Sequence, residues 1–228
     1  MSSCTSLTSL TLEAGSPAPL SWEVNFKHSF LQVAALLRES GSLAHLRLVH
    51  IPGTTSLLGQ VLKSPNLRLA DLNLKLVAGD DDEAFYSSLA HQDSLEFFSL
   101  LSQDDPLDPA TVQHVQFVRS LCRLRLLKKL DLMQTLLTVD NLRDFGESLL
   151  LLEEFSFDGE DLRDDALTAL VAFPRLRTGT NLGGFSITSV GQQRWRTNTS
   201  VSFRSCALVL SSCGPLFPWS KADVLQLM

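Results

Sequence analysis

The chain has 228 residues, of which 44% are hydrophobic and 19% charged, with a formal net charge of -6 at pH 7. That is enough for one domain core or a repeat array, and too little for several domains. A mean hydropathy of +0.11 excludes a wholly disordered chain, and apolar runs such as Leu149 to Leu152 fall far short of the roughly 18 residues a membrane span needs.

Leucine is the outlying count, at 46 of the 228 residues, about double ordinary usage. The architecture must therefore be one that consumes leucine. Met1 to Leu12 carries no Lys or Arg and is rich in Ser and Thr, unlike a secretory signal. Cys4, Cys122, Cys206 and Cys213 match no zinc spacing. They read as free thiols of a reducing compartment, so a cytoplasmic or nuclear location is expected. Asn198-Thr199-Ser200 has the form of a glycosylation acceptor and, without a signal, reads as chance.

One pattern recurs along the chain: apolar, two variable residues, apolar, one variable, apolar. The copies are Leu7-Leu10-Leu12, Leu43-Leu46-Leu48, Leu69-Leu72-Leu74, Leu95-Phe98-Leu100, Leu127-Leu130-Leu132 and Leu152-Phe155-Phe157, and a seventh begins at Leu176. Their starts are separated by 36, 26, 26, 32, 25 and 24 residues. Copies of about 20–29 residues with this core are the leucine-rich repeat signature. The second and third apolar positions are two apart, so both face the core of a strand. Helical spacing follows between strands. Phe30, Val33 and Leu37 form one stretch, ended by Gly41. Leu57, Val61 and Leu62 form another, and Phe85 and Leu89 follow an acidic start at Asp80 to Glu83. Leu142, Phe145 and Leu149 follow the cap candidate Thr138. Leu162, Leu167 and Leu170 stop before Pro174. A unit of one strand and one helix cannot bury its apolar edge alone, so neighbours must stack. The competing reading is an ordinary α/β domain, whose strands would be longer and more β-branched.

The long first copy carries an insert around Gly15 to Phe26, and the copy from Leu95 carries Asp104-Asp105-Pro106-Leu107-Asp108-Pro109. Near Thr178 the character changes. Residues 179–228 hold only 6 of the leucines and a net charge of +3, which leaves -9 on residues 1–178. Residues 1–178 are therefore expected to be the array, of about six to seven repeats, and 179–228 an atypical tail, either a divergent cap or an unrelated, disordered appendage. Phe203 to Leu210 suits a strand and Ala222 to Leu227 a short helix. The first copy has no amphipathic cap before it, as in a segment cut from a longer array.

No nucleophile elbow, phosphate loop, dinucleotide fingerprint or zinc-protease motif is present. An enzyme is not expected, nor any cofactor or metal. The histidines are His28, His45, His50, His91 and His114; His45 and His50 flank one strand and read as solvated rather than as a metal pair. Three acidic clusters, at Asp80-Glu83, Asp104-Asp108 and Asp158-Asp165, each follow a strand. They read either as a solvating edge or as a docking edge for a basic partner. With -9 on the body, phosphate would be repelled, so no nucleic acid is expected. No membrane association is expected either, and the chain should be a monomer.

The repeat also assigns the residues a partner would meet. The third-position row reads Ser9, His45, Asp71, Phe97, Lys129, Glu154. The fifth reads Thr11, Arg47, Asn73, Ser99, Asp131, Ser156, and the seventh Glu13, Val49, Lys75, Leu101, Met133, Asp158. Exposed Phe97, Leu101 and Met133 are expected at the centre of a protein-binding face, with Leu101 alternatively turned into the loop. Arg47, Asn73, Lys75, Ser99, Lys129, Asp131 and Glu154 would surround them.

The strand motif with helical returns resembles the ribonuclease-inhibitor-like leucine-rich repeats. Leu36-Leu37-Arg38-Glu39-Ser40-Gly41-Ser42-Leu43-Ala44-His45-Leu46-Arg47-Leu48 and Leu62-Lys63-Ser64-Pro65-Asn66-Leu67 are similar to the repeat region of fungal F-box/leucine-rich repeat proteins. The resemblance spans about residues 5–177. It implies an α/β solenoid, a horseshoe with parallel strands on the concave face and helices on the convex face. It further implies a non-catalytic protein–protein interaction module, the substrate-recognition part of a ubiquitin-ligase adaptor. The F-box that would dock the ligase scaffold is not in this sequence. The alternative is a truncated or mispredicted fragment without independent function.

Overall fold

Two leucines two residues apart fall on one side of extended backbone, and the polar residues between them fall on the other. This is what makes strands of the recurring motif. The computed structural model describes residues 6–14, 22–77, 83–101, 111–158, 168–181 and 185–188. Its strands are β1 (Ser9–Glu13), β2 (His45–Val49), β3 (Asp71–Lys75), β4 (Phe97–Leu101), β5 (Lys129–Leu136), β6 (Glu154–Asp158), β7 (Thr178–Asn181) and β8 (Phe185–Thr188). The helices are α1 (Trp22–Glu39), α2 (Thr54–Val61), α3 (Glu83–Leu89), α4 (Val112–Leu121) and α5 (Val139–Ser148). All eight strands lie in one sheet in chain order. Strands β1 to β7 run parallel, and β8 returns antiparallel to β7. The chain is thus α/β, built on a parallel sheet.

Equivalent residues of successive copies stand opposite one another. Leu10, Leu46, Leu72, Phe98, Leu130 and Phe155 form one inward row, and Leu12, Leu48, Leu74, Leu100, Leu132 and Phe157 the next. The helices cover these rows with Leu37, Leu58, Val61, Phe85, Leu89, Phe117, Leu121, Leu142 and Phe145, all fully buried. Where phenylalanine stands in a leucine slot, ring contacts form: Phe98 meets Phe117 and Phe155 meets Phe145 edge-on, whereas Phe157 meets Phe155 in a tilted pair.

The join between copies repeats as strictly as the strands. One carbonyl ahead of each strand from β1 to β6 accepts two N–H groups from the next copy, at 2.7–3.1 Å. Thr8 O takes Ala44 and His45, Ala44 O takes Ala70 and Asp71, and Ala70 O takes Glu96 and Phe97. Glu96 O takes Lys128 and Lys129, Lys128 O takes Glu153 and Glu154, and Glu153 O takes Arg177 and Thr178. The last of these matters because the leucine rhythm fails at Thr178-Gly179-Thr180-Asn181. Strand β7 nevertheless pairs in register with β6, with Gly179 opposite Phe155 and Asn181 opposite Phe157. Backbone pairing extends the sheet here without the motif's side chains. The sheet runs past residue 178 through β7 and β8. Phe203 to Leu210, Ala222 to Leu227, most of the insert from Gly15 and most of the three acidic clusters lie outside the described residues.

Two buried features weld neighbouring copies. Gly59 of α2 faces α3 so closely that a Cβ there would lie 3.1 Å from Ala84 Cβ and 3.1 Å from Phe85 N. Gln92, 1% exposed, sits in an otherwise apolar slot. Its Nε2 donates to Leu62 O at 2.7 Å and Leu67 O at 3.1 Å, and its Oε1 accepts from Leu69 N at 3.0 Å. It thereby satisfies the turn of the preceding copy, which no water could reach. Gln92→Leu keeps the volume but strands these backbone groups. It is expected to lower stability by about 1–3 kcal/mol in urea unfolding, whereas an unchanged midpoint would mean the turn finds other partners.

Candidate interaction surface

The sheet face turned away from the helices is open, and parallel register builds it into rows. Ser9, His45, Asp71, Phe97, Lys129 and Glu154 stand side by side. Thr11, Arg47, Asn73, Ser99, Asp131 and Ser156 form the next row. Residues far apart in the chain therefore touch. His45 Nδ1 lies 3.7 Å from Asp71 Oδ2. Lys129 places its Nζ 5.5 Å from the centre of the Phe97 ring and 2.7 Å from Glu154 Oε2. The ammonium thus links an aromatic face to a carboxylate across three strands. Ser99 Oγ donates to Asp131 Oδ2 at 3.4 Å.

Of the expected face residues, Arg47, Lys129 and Glu154 are exposed, whereas Asn73, Lys75, Phe97, Leu101 and Asp131 are half-buried. Ser99 is buried at 8% exposure. Phe97 and Leu101, expected as exposed with Leu101 alternatively turned into the loop, are each only partly covered. Met133 stands opposite Leu101 in the backbone register, and its side chain lies outside what is described. Two further corrections concern the seventh-position row. Val49 is 2% exposed, because the strand ends there and the chain turns at His50 (φ 54). Asp158 pairs with Leu136 rather than Met133, because β5 bulges between Leu132 and Leu136.

Electrostatically the face is mixed. Burial pushes the Asp131 carboxyl up from its ordinary value, against the opposing pull of the Ser99 hydroxyl and Lys129. Burial likewise raises Asp71, opposed by His45 and Arg47. Asn73 Oδ1 and Asp131 Oδ1 are buried without a hydrogen-bond partner. Ser9, Thr11, His45, Arg47, Asp71 and Asn73 line a shallow depression at one end of the face.

Sequence reading missed two polar residues elsewhere. One is Gln92; its signal was a lone amide where other copies carry Leu124 or Leu149. The other is His114 of α4, 1% exposed. Its Nε2 lies 3.0 Å from Asn141 Oδ1, which also accepts the Thr138 N–H in the capping box of α5. That acceptor requires the proton on Nε2. His114 is therefore a strut between α4 and the start of α5. Among the described residues no three His, Cys, Asp or Glu side chains group to hold a metal, and no helix is long and apolar enough to cross a membrane. No protein-family model matches the chain, and no curated protein matches it.

Asp131 yields a pH prediction. Its folded pKa is raised, so folding favours the protonated form. That stability is full below the ordinary carboxylate range and is lost as pH rises through the raised value. Asp131→Asn is therefore expected to raise the melting temperature at neutral pH. The gain should vanish in acid below the ordinary carboxylate range. A melting temperature lowered at neutral pH would contradict the assignment.

Proposed function

We propose that the chain is a leucine-rich repeat solenoid of the ribonuclease-inhibitor-like type. Its strands would line a concave face and its helices a convex one, and it would act as a non-catalytic protein-interaction module. The repeated junction supports the solenoid reading: each copy bonds to its neighbours in the same way from Thr8 to Thr178, as stacked repeats do. The open face supports the binding reading. It sets the half-buried apolar pair Phe97 and Leu101 among charged residues drawn from several strands, the composition of a protein interface. It also holds Asp131 where burial penalises its charge, a cost that stability alone does not explain. As the target-selecting part of a ubiquitin-ligase adaptor, in the cytoplasm or nucleus, the chain would need a partner to bring the ligase scaffold.

The test is calorimetric titration of a partner, recovered on the full chain and purified, against open-face variants. Phe97→Ala and Leu101→Ala are each expected to weaken binding by more than about 1 kcal/mol. Arg47→Glu and Lys75→Glu should weaken it too, by disturbing the polar surround. Equal affinity across all four variants would show that the partner sits elsewhere.

A further inference from the structure

Strand β1 is an outermost strand of the sheet. It pairs with β2, and among the described residues no strand lies on its other side. Its inward leucines show the effect. Leu10 and Leu12 are half-buried, whereas their equivalents Leu46, Leu48, Leu72 and Leu74 are at most 1% exposed. Leu31 on α1, the helix that follows β1, is 64% exposed. The core rows thus end without full cover at this edge.

The backbone of the edge is open as well. In a strand the N–H and C=O of one residue point to one side, and those of the next residue to the other. Thr8 O and Ala14 N bond toward β2, so the groups of Ser9, Thr11 and Glu13 point away from it. Sheet edges of this kind are commonly guarded by lysine, proline or a bulge. Ser9-Leu10-Thr11-Leu12-Glu13 contains neither residue, and its register with β2 is unbroken.

We propose that β1 is a dimer interface, pairing antiparallel with β1 of a second copy about a two-fold axis at Thr11. The strand is complementary to itself in this register. Thr11 stands opposite Thr11 and Ser9 opposite Glu13, so every outward-pointing residue meets another in a hydrogen-bonded pair. Leu10 stands opposite Leu12 on the core side of both copies, so the half-buried leucines cover one another. The one charged residue, Glu13, faces a serine, and no like charges meet. Such an isologous contact closes at two copies. A dimer replaces the monomer expected from the sequence.

The experiment is sedimentation velocity on the full chain over a concentration series. The weight-average sedimentation coefficient is expected to rise from the monomer value to the dimer value and no further. Thr11→Pro removes an N–H that takes no part in pairing with β2, and proline is tolerated at such an edge position. It should hold the coefficient at the monomer value while the circular dichroism spectrum stays native. Thr11→Lys reads the same contact with the backbone intact. It sets two ammonium groups opposite each other and should weaken association several-fold, less so in high salt. Under mild oxidation Thr11→Cys should give a disulfide between position 11 of two chains, mapped by mass spectrometry, because paired Cα atoms there lie about 5.5 Å apart. Ser9→Cys should not cross-link, since its two copies lie about 13 Å apart along the strands. A wild-type chain that stays monomeric throughout overturns the proposal. So does association that Thr11→Pro or Thr11→Lys leaves undiminished, or cross-linking as efficient at position 9 as at position 11.

Discussion

The structure depends on one repeated constraint: the carbonyl ahead of each strand from β1 to β6 accepts two N–H groups from the copy that follows. This bond pair fixes the lateral register, and the register fixes everything on both faces of the sheet. On one side it stacks Leu10 through Phe155 into a continuous core row. On the other it brings Phe97, Lys129 and Glu154 into contact although the chain separates them widely. Because a strand of five residues buries only two inward side chains, no copy holds a core of its own. Gly59 and Gln92 show the same dependence from the helix side, since each is explained only by the copy next to it.

How much of this was legible in the sequence follows from what kind of pattern each feature writes. The strands were legible because period two is strict and leucine marks it, so β2 to β6 start where the motif places them. The rows of the open face followed from the same arithmetic. Features set by local backbone were not legible. The bulge in β5 adds residues at Met133 to Thr135 without any glycine to announce it. Val49 turned inward because the strand ended, and side-chain alternation carries no signal of where a strand ends. Strand β7 ran against the pattern altogether: Gly179 and Asn181 occupy apolar slots, yet the backbone there still pairs with β6 and then with β8. Gln92 and His114 were missed because burial of a polar side chain depends on which acceptors surround it.

The open face is internally matched: His45 with Asp71, Lys129 with Glu154, and Ser99 with Asp131. A binder there must exchange these contacts for its own, which favours shape and specificity over raw attraction. In our account the open face serves a foreign protein.

Native-state hydrogen exchange of the full chain tests the central constraint most directly. The amides to follow are the junction pairs from Ala44 and His45 through Arg177 and Thr178. If neighbour contacts hold the structure together, all six pairs are protected, most strongly in the central copies, and Arg177 and Thr178 are protected despite the lost leucines. Exchange of Arg177 and Thr178 at the rate of an unfolded peptide, with full protection at Glu153 and Glu154, would contradict a backbone junction that operates without its side chains.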